Sequence, residues 1–253
     1  MLRTRSPATA PEPAHPSERR RAEQLERTQA IAQRWAAQAH HPYEHRSLDA
    51  LLRALDVVIA GTLLALTAPL VGALMLLIFV TSGRPVLYRG LRVGRAGQMF
   101  TMYKLRTLSP DAEVRLGPYQ AAALDERTSD ELTRVGHWLR TVHLDELPQL
   151  WNVVQGDMSL VGPRPIRPVF FEQLCEEIPQ YWQRLVVDPG MTGFAQLRMT
   201  RETSWAEKLA HDLEYIADRS VSMYLRICVR TTMRVIKRVL VDSVALVAGR
   251  RPA

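Results

Sequence analysis

Two adjacent carboxylates, Asp145 and Glu146, lie in the run TRVGHWLRTVHLDELPQLWNVVQGDMSLVGPRP, with Arg140 ahead of them and Arg164 beyond. A carboxylate can attack phosphorus to give an acyl phosphate. A neighbouring carboxylate can hold Mg²⁺, which is usually bound through one or two carboxylates plus phosphate oxygens. Guanidinium groups grip phosphate bidentately, and Pro163, Pro165 and Pro168 stiffen the loop that carries Arg164. Metal and guanidinium together neutralise charge developing on a transferring phosphoryl group. The types and spacing therefore suit chemistry on a phosphate. They also suit a plain helix start: in LDELPQLWNVV, Asp145 is a good N-cap, Glu146 falls in the first turn and Pro148 is tolerated there. Taken alone, the pair leaves both explanations open.

The segments around it narrow the choice. Residues Val57 through Gly83 carry no charge. As a continuous helix they would run roughly 40 Å, more than a bilayer core of roughly 30 Å. Pro69 sits near the middle, where it removes a backbone donor and crowds the preceding turn. Arginines flank both sides, Arg46 and Arg53 before and Arg84, Arg89, Arg92 and Arg95 after, so both flanks carry the mark of the cytoplasmic side. A re-entrant helix broken at Pro69 satisfies both facts; a tilted, kinked span is the alternative.

The next stretch, RPVLYRGLRVGRAGQMFTMYKLRT, predicts a β-hairpin with strands around Val86–Tyr88 and Met99–Tyr103 and a turn at Gly94 and Gly97. It gathers Arg89, Arg92, Arg95, Lys104 and Arg106, either against anionic headgroups or around an anion site. After a polar loop over 109–132, helices are expected at Glu131–Arg140, from near Asp145, at Val169–Glu177 and at Ala206–Ala217, with an extended piece at Gly193–Leu197. In Val221–Val247, Arg226, Arg230, Arg234 and Arg238 recur every four residues beside an apolar face of Leu225, Val229, Ile236 and Leu240. That pattern suits a helix in the membrane interface, or one packed on its own domain.

Residues 1–16 are expected to be disordered and Ser17–Ala39 helical, followed by a linker holding His40, His41 and His45. The chain has 33 basic and 26 acidic residues, a formal +7, which favours anionic partners. No nucleic-acid-binding motif accompanies that charge, and nucleic acid would leave the apolar block unexplained. Cys175 and Cys228 lack metal spacing, and the N-terminus has no signal-peptide core.

From about Leu48 to Lys237 the chain resembles the bacterial sugar transferases, the monotopic phosphoglycosyl transferases. LDELPQLWNVVQGDMSLVGPRP carries the likeness, with PVLYRGLRVGRAGQMFTMYKLRT before it and DPGMTGFAQL after. The resemblance implies an α+β, mostly helical monotopic membrane protein with a re-entrant helix-break-helix, a small hairpin and amphipathic interfacial helices. It divides the chain into an extension (1–46), the re-entrant helix (47–83), a cytoplasmic catalytic domain (84–220) and a basic C-terminal helix and tail (221–253). The implied reaction moves a phospho-sugar from a UDP-sugar to polyprenyl phosphate at the cytoplasmic face of the bacterial inner membrane. It starts the assembly of an exopolysaccharide, O-antigen or related glycan. Asp145 matches the nucleophile that forms a covalent phospho-sugar with release of UMP, and Glu146 the Mg²⁺ ligand. Lys104, Arg140 and Arg164 match the phosphate-binding residues, and Pro69 the helix break. Membrane lipids are implied partners, and the N-terminal helix is a candidate for pairing into a homodimer. Four positions depart from the family pattern: Ala68 replaces a Ser before Pro69, Gly90 a Gln, His143 a Ser and Tyr224 an Asp. Tyr224 opens a second reading, a catalytically weakened assembly factor of the same fold, unless Asp212 or Asp218 supplies the missing charge.

Overall fold

The computed structural model describes residues 46–110, 130–199 and 203–247, together with Glu26, Ala30, Ala112 and Thr128; side chains of the last stretch are described through Lys237. Most of the helix expected at Ser17–Ala39, the three histidines and most of the loop over 109–132 lie outside the described residues.

Helix α1 runs from Arg46 to Ser82 as one element with Pro69 inside it. It is long and apolar enough to cross a membrane, and most of its apolar surface is exposed. Leu66 and Val80 are 73 % and 74 % exposed. The hydroxyls of Thr62, Thr67 and Thr81 donate back to the carbonyls of Val58, Leu63 and Leu77, so these residues present no unmet polar group to an apolar surrounding. Both ends of α1 are docked. Leu52 and Ala60 enter the main core, while Leu74 and Ile78 pack with Leu105 and Leu139. Between the docked ends, Leu66, Ala68, Pro69 and Leu70 lie exposed.

Strands β1 (Leu87–Val93) and β2 (Met99–Leu105) form the expected antiparallel hairpin, longer than its β-branched residues predicted, with Tyr88 opposite Lys104 and Arg92 opposite Phe100. Helices α2 (Arg134–Thr141) and α3 (Gln149–Gln155) follow. Strand β3 (Ser159–Val161) pairs in parallel with β4 (Gly190–Thr192), and helix α4 (Pro168–Glu177) lies between them in sequence. The two strands cross at bare backbone: a Cβ on Gly190 would fall 2.0 Å from the Gly162 nitrogen.

The extended Gly193–Leu197 expected from sequence is corrected. The strand ends at Thr192, and Phe194–Arg198 forms a short helix, α5. Its terminal carbonyls at Gln196 and Leu197 accept from the Arg234 guanidinium at 2.9 and 2.6 Å, a long-range cap that local sequence does not encode. Helix α6 (Trp205–Asp218) opens on a Ser204–Glu207 capping box.

Helix α7 (Val221–Val247) packs on its own domain, the second of the two alternatives expected for it. Tyr224 and Ile227 enter the main core, while Leu225, Val229, Met233 and Ile236 form an outward apolar stripe. Arg219, at the α6–α7 junction, reaches Asp49 in the first turn of α1 at 3.1 Å.

Candidate active site

The site is built where the ends of β2, α2 and α3 converge. Thr133 caps α2 by accepting from the Gly136 amide at 2.9 Å. That helix lies so close to the strand end that a Cβ on Gly136 would stand 1.9 Å from the Thr107 carbonyl oxygen; only glycine permits the approach. The approach seats Arg140, in the last turn, where its Nε donates to Thr107 Oγ1 at 3.0 Å.

His143 then turns the chain through a left-handed conformation (φ 57°), and Leu144–Glu146 form a 3₁₀ turn. Asp145 is therefore not the N-cap of the following helix, as its sequence position suggests. His143 occupies the cap position of the turn, α3 begins only after Pro148, and Asp145 is buried at 5 % exposure. Helix α3 is held from two sides. Buried Asn152 donates to the Thr101 carbonyl and accepts from the Tyr103 amide on β2. Arg53 of α1 donates to the carbonyls of Val153 and Val154. Lys104, next to Tyr103 on β2, is thereby fixed relative to the carboxylate turn.

Four of the five residues expected to act on phosphate meet through Glu146 and Asp145. Lys104 Nζ lies 2.5 Å and Arg164 Nη2 3.4 Å from Glu146 Oε1. Arg164 is more than half exposed, but its backbone is fixed: its carbonyl accepts from Arg184 Nη2 at 3.0 Å. Arg184 forms a buried ion pair with Asp212 at 2.7 Å. The fifth, Arg140, stands close enough to draw the Asp145 pKa down. Pro69 is remote from this cluster in α1.

The two carboxylates sit in different fields. Burial pushes Asp145 up to about 6; Lys104 opposes the rise, the Glu146 charge adds to it, and Arg140 opposes it. Burial would lift Glu146 as well, but the Lys104 and Arg164 cations outweigh it and hold that carboxyl down at about 2. At neutral pH both are ionised, and Asp145 is the more basic of the two.

Asp145 opens into a groove of about 1110 Å³. Lys104 and Arg140 line it near the carboxylate, Arg84, Arg89, Arg92, Arg106 and Arg167 extend its basic wall, and Met75, Leu76 and Phe79 of α1 form an apolar wall. The hairpin arginines thus line this groove, with one exception: Arg95 lies elsewhere, beside Asp49 and Asp188. Arg167 was missed by sequence reasoning; its signal was a second arginine in the same proline-rich loop as Arg164. Tyr224 does not line the groove. Its hydroxyl donates to Asp56 Oδ1 at 2.6 Å in the core. Neither proposed substitute for the family Asp fills that place: Asp212 is engaged by Arg184, and Asp218 is exposed.

Among the described residues no three His, Cys, Asp or Glu side chains converge, so they offer no all-protein metal cage. The donor set fits a Mg²⁺ ion held largely by substrate phosphate oxygens. Glu146 is ionised, and both its cation contacts fall on Oε1, leaving Oε2 for a metal.

The model of the bacterial sugar transferase family matches residues 48–238. The chain belongs to that family. It is 42 % identical over 195 residues to a UDP-glucose:undecaprenyl-phosphate glucose-1-phosphate transferase of Caulobacter vibrioides, covering 75 % of this chain and 71 % of that protein. A putative undecaprenyl-phosphate N-acetylgalactosaminyl 1-phosphate transferase of Bacillus subtilis is 43 % identical over 136 residues, or 54 % of this chain and 73 % of the relative. The family also includes longer proteins. The Escherichia coli UDP-glucose:undecaprenyl-phosphate glucose-1-phosphate transferase is 37 % identical over 73 % of this chain but only 40 % of its own length.

Proposed function

We propose that this protein is a phosphoglycosyl transferase that moves a phospho-sugar from a UDP-sugar to polyprenyl phosphate, in two displacements at Asp145. The observation that carries the reading is the groove itself: a buried, ionised aspartate lies between a basic wall and an apolar wall supplied by α1. A nucleotide sugar needs the first wall and an isoprenoid phosphate needs both.

In the first displacement an Asp145 carboxylate oxygen attacks the β-phosphorus of the UDP-sugar. The bond from that phosphorus to the bridging oxygen breaks, and UMP leaves with the electron pair. In the second, an oxygen of polyprenyl phosphate attacks the same phosphorus, the aspartyl oxygen leaves, and the carboxylate is restored beside a polyprenyl diphospho-sugar. No general base is required for the first step, since Asp145 is ionised above about pH 6. Lys104, Arg140 and Arg164 hold the phosphate oxygens and stabilise the charge that spreads over them. Glu146 would hold a Mg²⁺ ion, which would supply further charge neutralisation. The Glu146–Lys104 contact keeps that carboxylate ionised and away from the nucleophile's role.

In this reading α1 enters and leaves the cytoplasmic leaflet of the inner membrane by the same face, bending at Pro69. Its two docked ends, its bare middle and the arginines on both flanks support that form. The product is the first lipid-linked sugar of an exopolysaccharide, O-antigen or related glycan.

The test uses the purified full chain in nanodiscs with Mg²⁺, undecaprenyl phosphate and UDP-glucose, UDP-galactose and their N-acetylated forms, recording UMP. The expected result is UMP from at least one donor, and a burst of about one UMP per protein when the acceptor is omitted. UMP formation should rise through about pH 6 and level off above it, because the ionised form of Asp145 is the reactive one. Folded protein that releases no UMP with any donor would end the proposal.

A further inference from the structure

Arg106 stands apart from the other cations of the groove. It is only 6 % exposed, yet its Nε and Nη1 have no hydrogen-bond partner among the described residues. Only Nη2 is engaged, donating to the carbonyls of Ser82 and Gly83 at 2.6 and 3.1 Å. Among the described residues no carboxylate pairs with it. A buried guanidinium with three idle N–H donors and no counter-ion is costly to the fold, and such groups are normally matched by an anion.

Its position says which anion. The engaged nitrogen caps the last carbonyl of α1 and that of the following Gly83, so the guanidinium is tied to the end of the apolar helix. From the same helix, Met75, Leu76 and Phe79 form the apolar wall of the groove that Arg106 lines. A phosphate bonded to Arg106 would share the groove with that wall, which offers an apolar surface for whatever the phosphate carries. A nucleotide diphosphate has no use for such a neighbour, whereas an isoprenoid chain does.

We propose that Arg106 binds the phosphate of the polyprenyl acceptor, with Met75, Leu76 and Phe79 receiving the first isoprene units. This assignment rests on the two-displacement reading above and adds to it a division of the cations between the two substrates. Lys104 and Arg164, both on Glu146, serve the donor diphosphate, and Arg106 serves the acceptor.

The test compares wild type, Arg106→Lys and Arg106→Gln as full chains in nanodiscs, each shown to be folded by its thermal transition. Undecaprenyl phosphate and the UDP-sugar that wild type turns over are varied separately. Arg106→Lys keeps a cation for the α1 carbonyls but loses the fork of donors, so it guards against a purely structural loss in Arg106→Gln. The expected result is an acceptor KM raised about tenfold or more in both variants, the range of a lost charge-assisted hydrogen bond. The donor KM and the acceptor-free UMP burst should stay within about twofold of wild type. An unchanged acceptor KM in the folded variants would overturn the proposal. So would loss of the burst or a raised donor KM, which would move Arg106 to the donor diphosphate. Absence of a burst in wild type would instead remove the covalent intermediate, and the acceptor KM comparison would still decide the role of Arg106.

Discussion

Two buried aspartates occupy comparable depths and are treated in opposite ways. Asp56, in the N-terminal half of α1, is 3 % exposed, and its Oδ1 accepts from the Leu160 amide at 2.8 Å, Ser159 Oγ at 3.1 Å and Tyr224 Oη at 2.6 Å. One carboxylate thereby joins the apolar helix, β3 and the C-terminal helix. Asp145, 5 % exposed, sits among charges, with Lys104, Glu146 and Arg140 shaping its field. No side chain among the described residues donates a hydrogen bond to it. A carboxylate with three donors on one oxygen is a joint; one held by neighbouring charge and a single backbone amide keeps lone pairs for an incoming phosphorus. The same residue type at the same burial serves architecture or chemistry according to how many donors are aimed at it.

Asp145→Asn tests the comparison most severely. Transfer should fall by roughly three orders of magnitude or more, the scale of losing a covalent nucleophile. The folded protein should meanwhile gain stability. Its carboxyl titrates near 6 in the fold against a reference of 3.8, so the native state is the stronger proton binder between those values. Wild type therefore loses stability as pH rises from about 4 to about 6, up to roughly 3 kcal/mol, and the neutral amide does not. Thermal unfolding of both proteins from pH 4 to 8 should show curves that meet at the acid end and separate above pH 6, with Asn higher. An equal gap at every pH would mean that burial of the charge is not what raises that pKa.

The mirror experiment is Asp56→Ala. It leaves three buried donors unmet at once and should destabilise by roughly 3–5 kcal/mol. If Asp56 is a joint only, single-turnover UMP release by the fraction that remains folded should stay near wild type. A loss of transfer without a loss of stability would give Asp56 a part in the chemistry and erase the contrast.

These two aspartates also mark what sequence could and could not supply. The cluster around Asp145 was legible because its members sit in short motifs that the family resemblance covers: Lys104, Arg140, the Asp-Glu pair and Arg164 lie together in the structure, and their action on phosphate is the proposal above. Helix α1 was readable from its length without charge, and the hairpin from its glycines. The joint at Asp56 was not readable. It links residues more than a hundred positions apart, and an aspartate near the start of an apolar helix gives no local sign of its partners. The short helix α5 failed for the same reason, since its cap arrives from Arg234 on another element. Misplacing Asp145 as an N-cap had a different cause. The left-handed turn at His143 moves the helix start past Pro148, and only glycine would have advertised a positive φ there.

Tyr224 gives a smaller and more selective test. Its phenol is pushed far up by burial and by its bond to Asp56, so it remains a donor at any working pH. Tyr224→Phe removes one of three donors to Asp56 and should cost about 1–2 kcal/mol with transfer unchanged. Tyr224→Asp, which installs the residue common in the family, would set two carboxylates against each other in a core that offers Asp56 two other donors. It should be less stable than Phe above pH 6, and no more active than wild type. Higher UMP turnover in the Asp variant would show that the tyrosine does restrain catalysis.

His143 tests the other side of the contrast by a few tenths of a kcal/mol. Among the described residues, the non-glycine positive-φ positions are Ala96 in the hairpin turn and His143, directly before the carboxylate turn. Holding a β-carbon in that conformation costs about 1 kcal/mol, and a glycine would relieve it while gaining freedom in the unfolded chain. His143→Gly should therefore stabilise by about 0.5 kcal/mol net. Its effect on transfer should run the other way. Glu146 and Asp145 are placed by the turn that His143 opens, and a looser entry would let the nucleophile sample positions out of line with the phosphorus. A kcat lowered severalfold with donor KM unchanged, in a slightly more stable protein, would show that the strain holds the nucleophile in place. An unchanged kcat would leave Lys104 and the packing of α3 as the groups that fix Asp145, and the left-handed turn as a feature of the chain path alone.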